Sequence, residues 1–77
     1  MKGDEFMIVT DSKSLGEAIR KRRKELKYTQ AYLSEFTGFS VSFISDLERG
    51  KATAEIGKTI TLIQLLGLNL VVENRGK

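Results

Sequence analysis

The order of residues points to a mainly α domain in which four helices are followed by one short β-strand. Three observations carry this reading. Four stretches have helical apolar spacing, and polar capping residues stand ahead of the first three. Two of those stretches, within residues 28–51 (YTQAYLSEFTGFSVSFISDLERGK), are short and separated only by a tight turn at Gly38. After Gly67 the apolar spacing changes from helical to alternating.

The elements follow in order. Residues 6–10, FMIVT, are a β-prone apolar run with no helical period, so segment 1–13 is expected to hold at most a short strand. Met7 offers an internal start, and residues 1–6 therefore receive no assignment. Ser14 is the expected N-cap of the first helix, with Glu17 completing an S-x-x-E capping box. Leu15, Ala18, Ile19 and Leu26, with the stem of Arg22, form the apolar stripe across 15–27.

Thr29 is expected to cap a second helix over 30–37, whose Ala31, Leu33 and Phe36 would point inward. Gly38 stops it, because glycine tolerates the left-handed backbone of a tight turn. Ser40 is expected to cap a third helix over 41–49, anchored by Ile44 and Leu47 and ended by Gly50. This is a helix-turn-helix layout, in which the second helix of the pair enters the major groove of DNA. After the link KATA, a fourth helix over 55–66 would bury Ile56, Ile60, Ile63 and either Leu66 or Leu62, with Gly57 weakening its first turn. Residues 14–67 thus form the helical domain, 68–73 the strand and 74–77 a polar tail.

A lone strand has backbone groups that need partners. Its partner is either FMIVT of the same chain or the same segment of a second subunit. The second arrangement would also enlarge a core that is small in a chain of 77 residues. Leu68, Leu70, Val71 and Val72 are then the dimerisation residues, and a homodimer is expected.

Composition excludes several classes. With no cysteine and no histidine, neither disulfides nor a nitrogen or sulfur metal site can form, and no cofactor or metal is expected. The lack of cysteine fits a cytoplasmic protein. No apolar run reaches the roughly 20 residues of a membrane span, and the acidic MKGDEFMIVTD is unlike a signal peptide. An enzyme is not expected, since there is no phosphate loop, no nucleophile elbow and no paired carboxylate outside the N-terminal end. No small-molecule ligand is evident. The formal charge is only +3, but residues 15–27 carry six Lys/Arg against Glu17 and Glu25, a local +4 suited either to a polyanion or to a solvated helix face.

Residues 15–70 resemble the Cro/phage-repressor type helix-turn-helix family, also called the XRE family. The resemblance rests on Arg23, the Thr29-Gln30 pair, Leu33, Gly38, Ser40, Ser42, Ile44, Ser45 and the run Leu47-Glu48-Arg49-Gly50-Lys51. It implies a four-to-five-helix, lambda-repressor-like domain that binds double-stranded operator DNA as a dimer. The C-terminal LGLNLVVENR is similar to the HipB branch, antitoxins that autoregulate their operon and partner HipA-like kinase toxins. The resulting expectation is a dimeric repressor on an inverted repeat, as a HipB-like antitoxin. The alternatives are a stand-alone XRE-family repressor and an antitoxin acting mainly by protein binding.

Site residues follow. Gln30 opens the second helix, where its side chain and the first-turn amides can hold a phosphate, as the family implies. Ser40 can combine capping with a phosphate contact. Arg49 and Lys51, with Arg20 and Lys24 of the first helix, are the other phosphate candidates. Base readout falls to Val41, Ser42, Ser45 and Asp46, with Phe43 either DNA-facing, core or interface. Valine or phenylalanine suits a thymine methyl, serine several base edges and aspartate the cytosine amino group. No bidentate arginine–guanine contact is available on this face, so DNA shape is expected to carry much of the specificity. The resemblance implies a partly buried structural ion pair between Arg23 and Glu48.

Overall fold

A computed structural model describes residues 7–76 and contains four helices among them: α1 (Ser12–Glu25), α2 (Gln30–Thr37), α3 (Val41–Glu48) and α4 (Ile56–Leu65). Phe6 of the FMIVT run and the rest of residues 1–6 lie outside the described residues. Helix α3 is the hub, packed against both α1 and α2. The core is Ile19, Leu33, Ile44, Leu47, Leu62, Ile63 and Leu66, so every helix, or the cap that follows it, supplies at least one fully buried aliphatic side chain. Burying each is worth roughly 1.5–3 kcal/mol, enough to hold a domain of this size only if the polar groups beneath are also matched.

The helix starts are set by caps. Thr29 accepts from the Tyr32 amide at 3.0 Å and Ser40 from the Phe43 amide at 3.0 Å. Helix α1 begins earlier than Ser14 would have it. Asp11 is the N-cap, accepting from the Ser14 amide at 2.8 Å, while the Ser14 hydroxyl accepts from the Asp11 amide at 3.1 Å. Ser14 therefore sits at the third helical position of the box, not at its head. A carboxylate facing the positive end of the helix is the stronger cap. The Ser14 amide bond, then the Ser14 hydroxyl, hold the Asp11 carboxyl below the usual carboxylate range.

Three helices end in one motif. After α1, Lys27 donates to the Lys24 carbonyl and Tyr28 to that of Arg23; after α3, Gly50 and Lys51 do the same to Leu47 and Asp46; after α4, Gly67 and Leu68 to Gln64 and Ile63. The motif needs a left-handed residue, which is Gly50 (φ 88°) and Gly67 (φ 78°) in two cases but Lys27 (φ 64°) in the first.

The helix faces differ from expectation in places. Ala31 and Phe36 of α2 are exposed, Leu33 alone being buried there, because α2 is short and packs mainly on α3. Phe36 instead ends an aromatic ladder with Tyr32 and Tyr28 along the outside of the helix. In α4, Ile56 is exposed and Thr59 buried; Leu62, Ile63 and Leu66 are all buried, and Ile60 is half-buried. Residue 56 lies at the start of the helix, beyond the reach of the core.

No strand forms among the described residues of the single chain. Leu68 packs against the core, while Leu70, Val71 and Val72 are exposed, Val72 at 93%. Met7, Ile8 and Val9 are exposed as well. Both end segments border one large groove that also includes Leu15, Ala18 and Ile63.

A candidate DNA interface

The end of α3 is mounted on α1 through main-chain contact. At Gly16 an added methyl would overlap the Leu47 carbonyl and lie 2.7 Å from that of Glu48. The Ser12 hydroxyl donates to the Gly50 carbonyl at 2.9 Å, and a methyl on Gly50 would come within 2.8 Å of the Lys13 Cα. The start of α1 thus lies directly on the end of α3. Nothing in the sequence reading singled out Gly16; a glycine retained inside a helix at a cost of about 0.5–1 kcal/mol was the available signal.

Beneath this mount, Arg23 and Glu48 form a bidentate ion pair: Nε donates to Oε2 at 2.7 Å and Nη2 to Oε1 at 3.0 Å. The side chains are 9% and 3% exposed. The third guanidinium nitrogen, Nη1, donates to the Tyr28 carbonyl at 2.8 Å, which ties the α1–α2 loop to the same group. The Glu48 carboxylate raises the Arg23 guanidinium above its ordinary value, so the charge persists across the usable pH range. The amide of Gln30 donates to Glu48 Oε1 at 3.0 Å. Its side chain therefore joins the buried pair, a bond the sequence reading did not foresee.

Above the pair is a polar cleft of about 220 Å³ lined by Arg20, Arg23, Gln30, Ser45, Glu48 and Arg49. It brings together residues from α1, α2 and the end of α3 beside the first turn of α2. Arg20 and Lys24 are exposed one turn apart on α1, and neither makes an ion pair among the described residues. Arg22, by contrast, is drawn off to α4, where its Nε donates to the Leu66 carbonyl at 2.9 Å. The basic run of α1 is thus split between scaffold and surface.

Along α3, Val41 and Ser42 are exposed at the N-terminal end. Ser40 Oγ is occupied as the cap. Phe43 is half-buried, with Phe39 at 5.4 Å between ring centroids and the Lys58 ammonium 5.7 Å from its own, so it is packed toward α4. At the C-terminal end Asp46 Oδ1 accepts from Arg49 Nη2 at 2.7 Å, and Oδ2 is 3.5 Å from Lys51 Nζ. Arg49 Nη1 donates to Ser45 Oγ.

A half-buried pair of short helices joined at a left-handed glycine (Gly38, φ 85°), with cations beside the first turn of one helix and an open N-terminal face on the other, defines a helix-turn-helix protein. The chain matches the helix-turn-helix family HTH_3 over residues 19–72 and belongs to it, a class of DNA-binding transcription regulators. It is 41% identical over 56 residues to the uncharacterized HTH-type transcriptional regulator y4mF of Sinorhizobium fredii (strain NBRC 101917 / NGR234), covering 73% of this chain and 74% of that one. In fold it is similar to a HipB variant in complex with an O2 20mer, with a TM-score of 0.82 at 21% identity over 91% of this chain and 97% of the other. A HipB–O4 20mer complex gives 0.81 at 20% identity over 90% and 97%. Among the described residues no helix is long and apolar enough to cross a membrane.

Proposed function

We propose that this protein is a sequence-specific repressor that docks on duplex DNA through α2 and α3. The observation that carries the reading is the cleft in which Arg20, Gln30 and Arg49 converge on the first turn of α2. There, two guanidinium groups and the free amides at the positive end of the helix can hold one backbone phosphate. Lys24, Lys51 and Ser40 extend the phosphate track. Val41, Ser42, Ser45 and Asp46 make up the readout face, with Phe43 supporting it from the core side. Two small side chains at its leading end offer few directional hydrogen bonds, which favours readout of DNA shape.

The protein acts as a homodimer in this reading. Leu70, Val71 and Val72 stand exposed and border the same groove as Met7, Ile8 and Val9, which are exposed too, an apolar strip of the kind that marks an interaction surface. Pairing of the 68–73 segments across a twofold axis would cover it and set two recognition helices roughly 34 Å apart on an inverted repeat. The resemblance of the C-terminal LGLNLVVENR to the HipB branch favours a HipB-like antitoxin that autoregulates its operon and binds a HipA-like kinase toxin. A stand-alone repressor would need the same dimer but no further partner.

Fluorescence anisotropy on a labelled duplex library tests DNA binding. Affinity should fall steeply between about 50 and 200 mM salt, as expected when several phosphates are neutralised. Salt-insensitive binding, or no enrichment of any sequence over random duplex, refutes the repressor. Sedimentation of a chain lacking residues 68–77 tests the dimer, which should become monomeric. Affinity capture from native cells, reading both bound DNA and bound protein, separates antitoxin from stand-alone repressor.

A further inference from the structure

We infer that Asp46 is an internal phosphate surrogate that makes clamping of the DNA backbone conditional on the base beneath it. This rests on the DNA-binding reading and deepens it. In the free protein one carboxylate holds the two cations at the end of the recognition helix, Arg49 at 2.7 Å and Lys51 at 3.5 Å. The main chain enforces the arrangement, because the Asp46 carbonyl also accepts from the Arg49 amide at 3.2 Å and the Lys51 amide at 3.0 Å. All three side chains reach solvent, at 33%, 70% and 53% exposure for Asp46, Arg49 and Lys51.

Helix stability does not explain an acid here. A carboxylate in the last turn faces the negative end of the helix and is disfavoured there. Exposed pairs such as these return little. What the carboxylate does is neutralise the two cations that would otherwise attract any duplex. Arg49 lines the cleft with Arg20 and Gln30, so its release from Asp46 is the step that completes the phosphate site.

On duplex DNA the phosphates compete with Asp46 for Arg49 and Lys51. Once the cations are handed over, the carboxylate is left against a polyanion, a cost unless it finds a donor. The cytosine N4 and adenine N6 amino groups in the major groove are such donors; thymine and guanine edges present acceptors at the corresponding place. Cation transfer is therefore favourable where a cytosine or adenine amino group lies beneath Asp46 and resisted where a thymine or guanine edge does. Asp46 suppresses random binding more than operator binding.

The test compares the full-length wild type with Asp46→Asn on two probes: the duplex that the wild type selects from a random library about two helical turns long, and unselected library. Asp46→Asn should bind unselected duplex about 3- to 10-fold more tightly, with a salt slope steeper by about one to two per protomer as Arg49 and Lys51 become available. Preference for the selected duplex should fall at least about 5-fold. Asp46→Glu, which keeps the charge, should retain weak binding to unselected duplex. If Asp46→Asn weakens both probes equally, Asp46 merely positions Arg49 and the inference fails. It fails too if preference is unchanged or if Asp46→Glu behaves as Asp46→Asn. A wild type that binds no duplex overturns the DNA-binding reading along with it.

Discussion

Replacing Glu48 with alanine removes the acceptor at the centre of the scaffold. Its two oxygens take hydrogen bonds from Arg23 Nε at 2.7 Å, Arg23 Nη2 at 3.0 Å and Gln30 Nε2 at 3.0 Å. In Glu48→Ala the guanidinium, 9% exposed, would keep only the Tyr28 carbonyl as a partner. Breaking a buried ion pair from one side costs about 3–5 kcal/mol, since the remaining charge stays buried without compensation. The polar cleft above the pair gives water a way in, which places the expected loss near 3 kcal/mol. For a domain of this length that is a drop of roughly 12–24 °C in melting temperature.

The assay is thermal unfolding by circular dichroism, at one fixed protein concentration because an associating protein melts in a concentration-dependent way. A companion variant separates charge burial from loss of packing. Arg23→Met with Glu48→Leu removes both charges, and should recover most of the lost stability because no desolvated ion remains. A Glu48→Ala melting temperature within about 4 °C of wild type would refute the reasoning. So would a double variant no more stable than the single one.

Gly16→Ala should destabilise by about 2 kcal/mol, the overlap with the Leu47 and Glu48 carbonyls outweighing the helix propensity gained, as read from urea midpoints. Lys27→Gly should stabilise by about 0.5 kcal/mol, because relief of the left-handed backbone exceeds the entropy that glycine adds to the unfolded chain; a lower midpoint would contradict this. Stability should decline in acid. Asp11 is lowered by its Ser14 hydrogen bonds, and Glu25 by its bond to Lys21 followed by Arg22. Each carboxylate, depressed in the folded state, contributes stability that is full above its unfolded value and lost as pH falls through its folded one. The urea midpoint should therefore hold down to about pH 5 and fall below about pH 4, with a shallower fall in Asp11→Asn.

The parts of the fold legible in the sequence were those fixed within a few residues. Thr29, Gly38 and Ser40 mark the helix-turn-helix because caps and left-handed turns are local chemistry. The same logic misplaced the start of α1, since both Asp11 and Ser14 are good caps and only their competition decides. The burial of Leu33 and Ile44 followed from spacing, whereas the exposure of Phe36 and Ile56 depends on where neighbouring helices end. Contacts between residues far apart in sequence gave no local sign. The Arg23–Glu48 pair entered through family resemblance rather than spacing, and neither the Gln30 bond to Glu48 nor the seating of Gly16 on α3 was anticipated. Along α3, residue types were readable, but the commitment of Asp46 to Arg49 and Lys51 was not.

The backbone seating of α1 on α3 has a consequence for how such a protein can change. It grips the helix near Leu47, six residues and therefore about 9 Å along the axis from Val41. Side chains at the far end can be exchanged without disturbing the grip, because no side chain from that end takes part in it. The pitch and depth at which the helix is presented stay constant while its tip is rewritten. In the proposed DNA-binding mode, one or two substitutions at Val41 and Ser42 would change the target, leaving Gly16 and Gly50 as the positions that cannot drift.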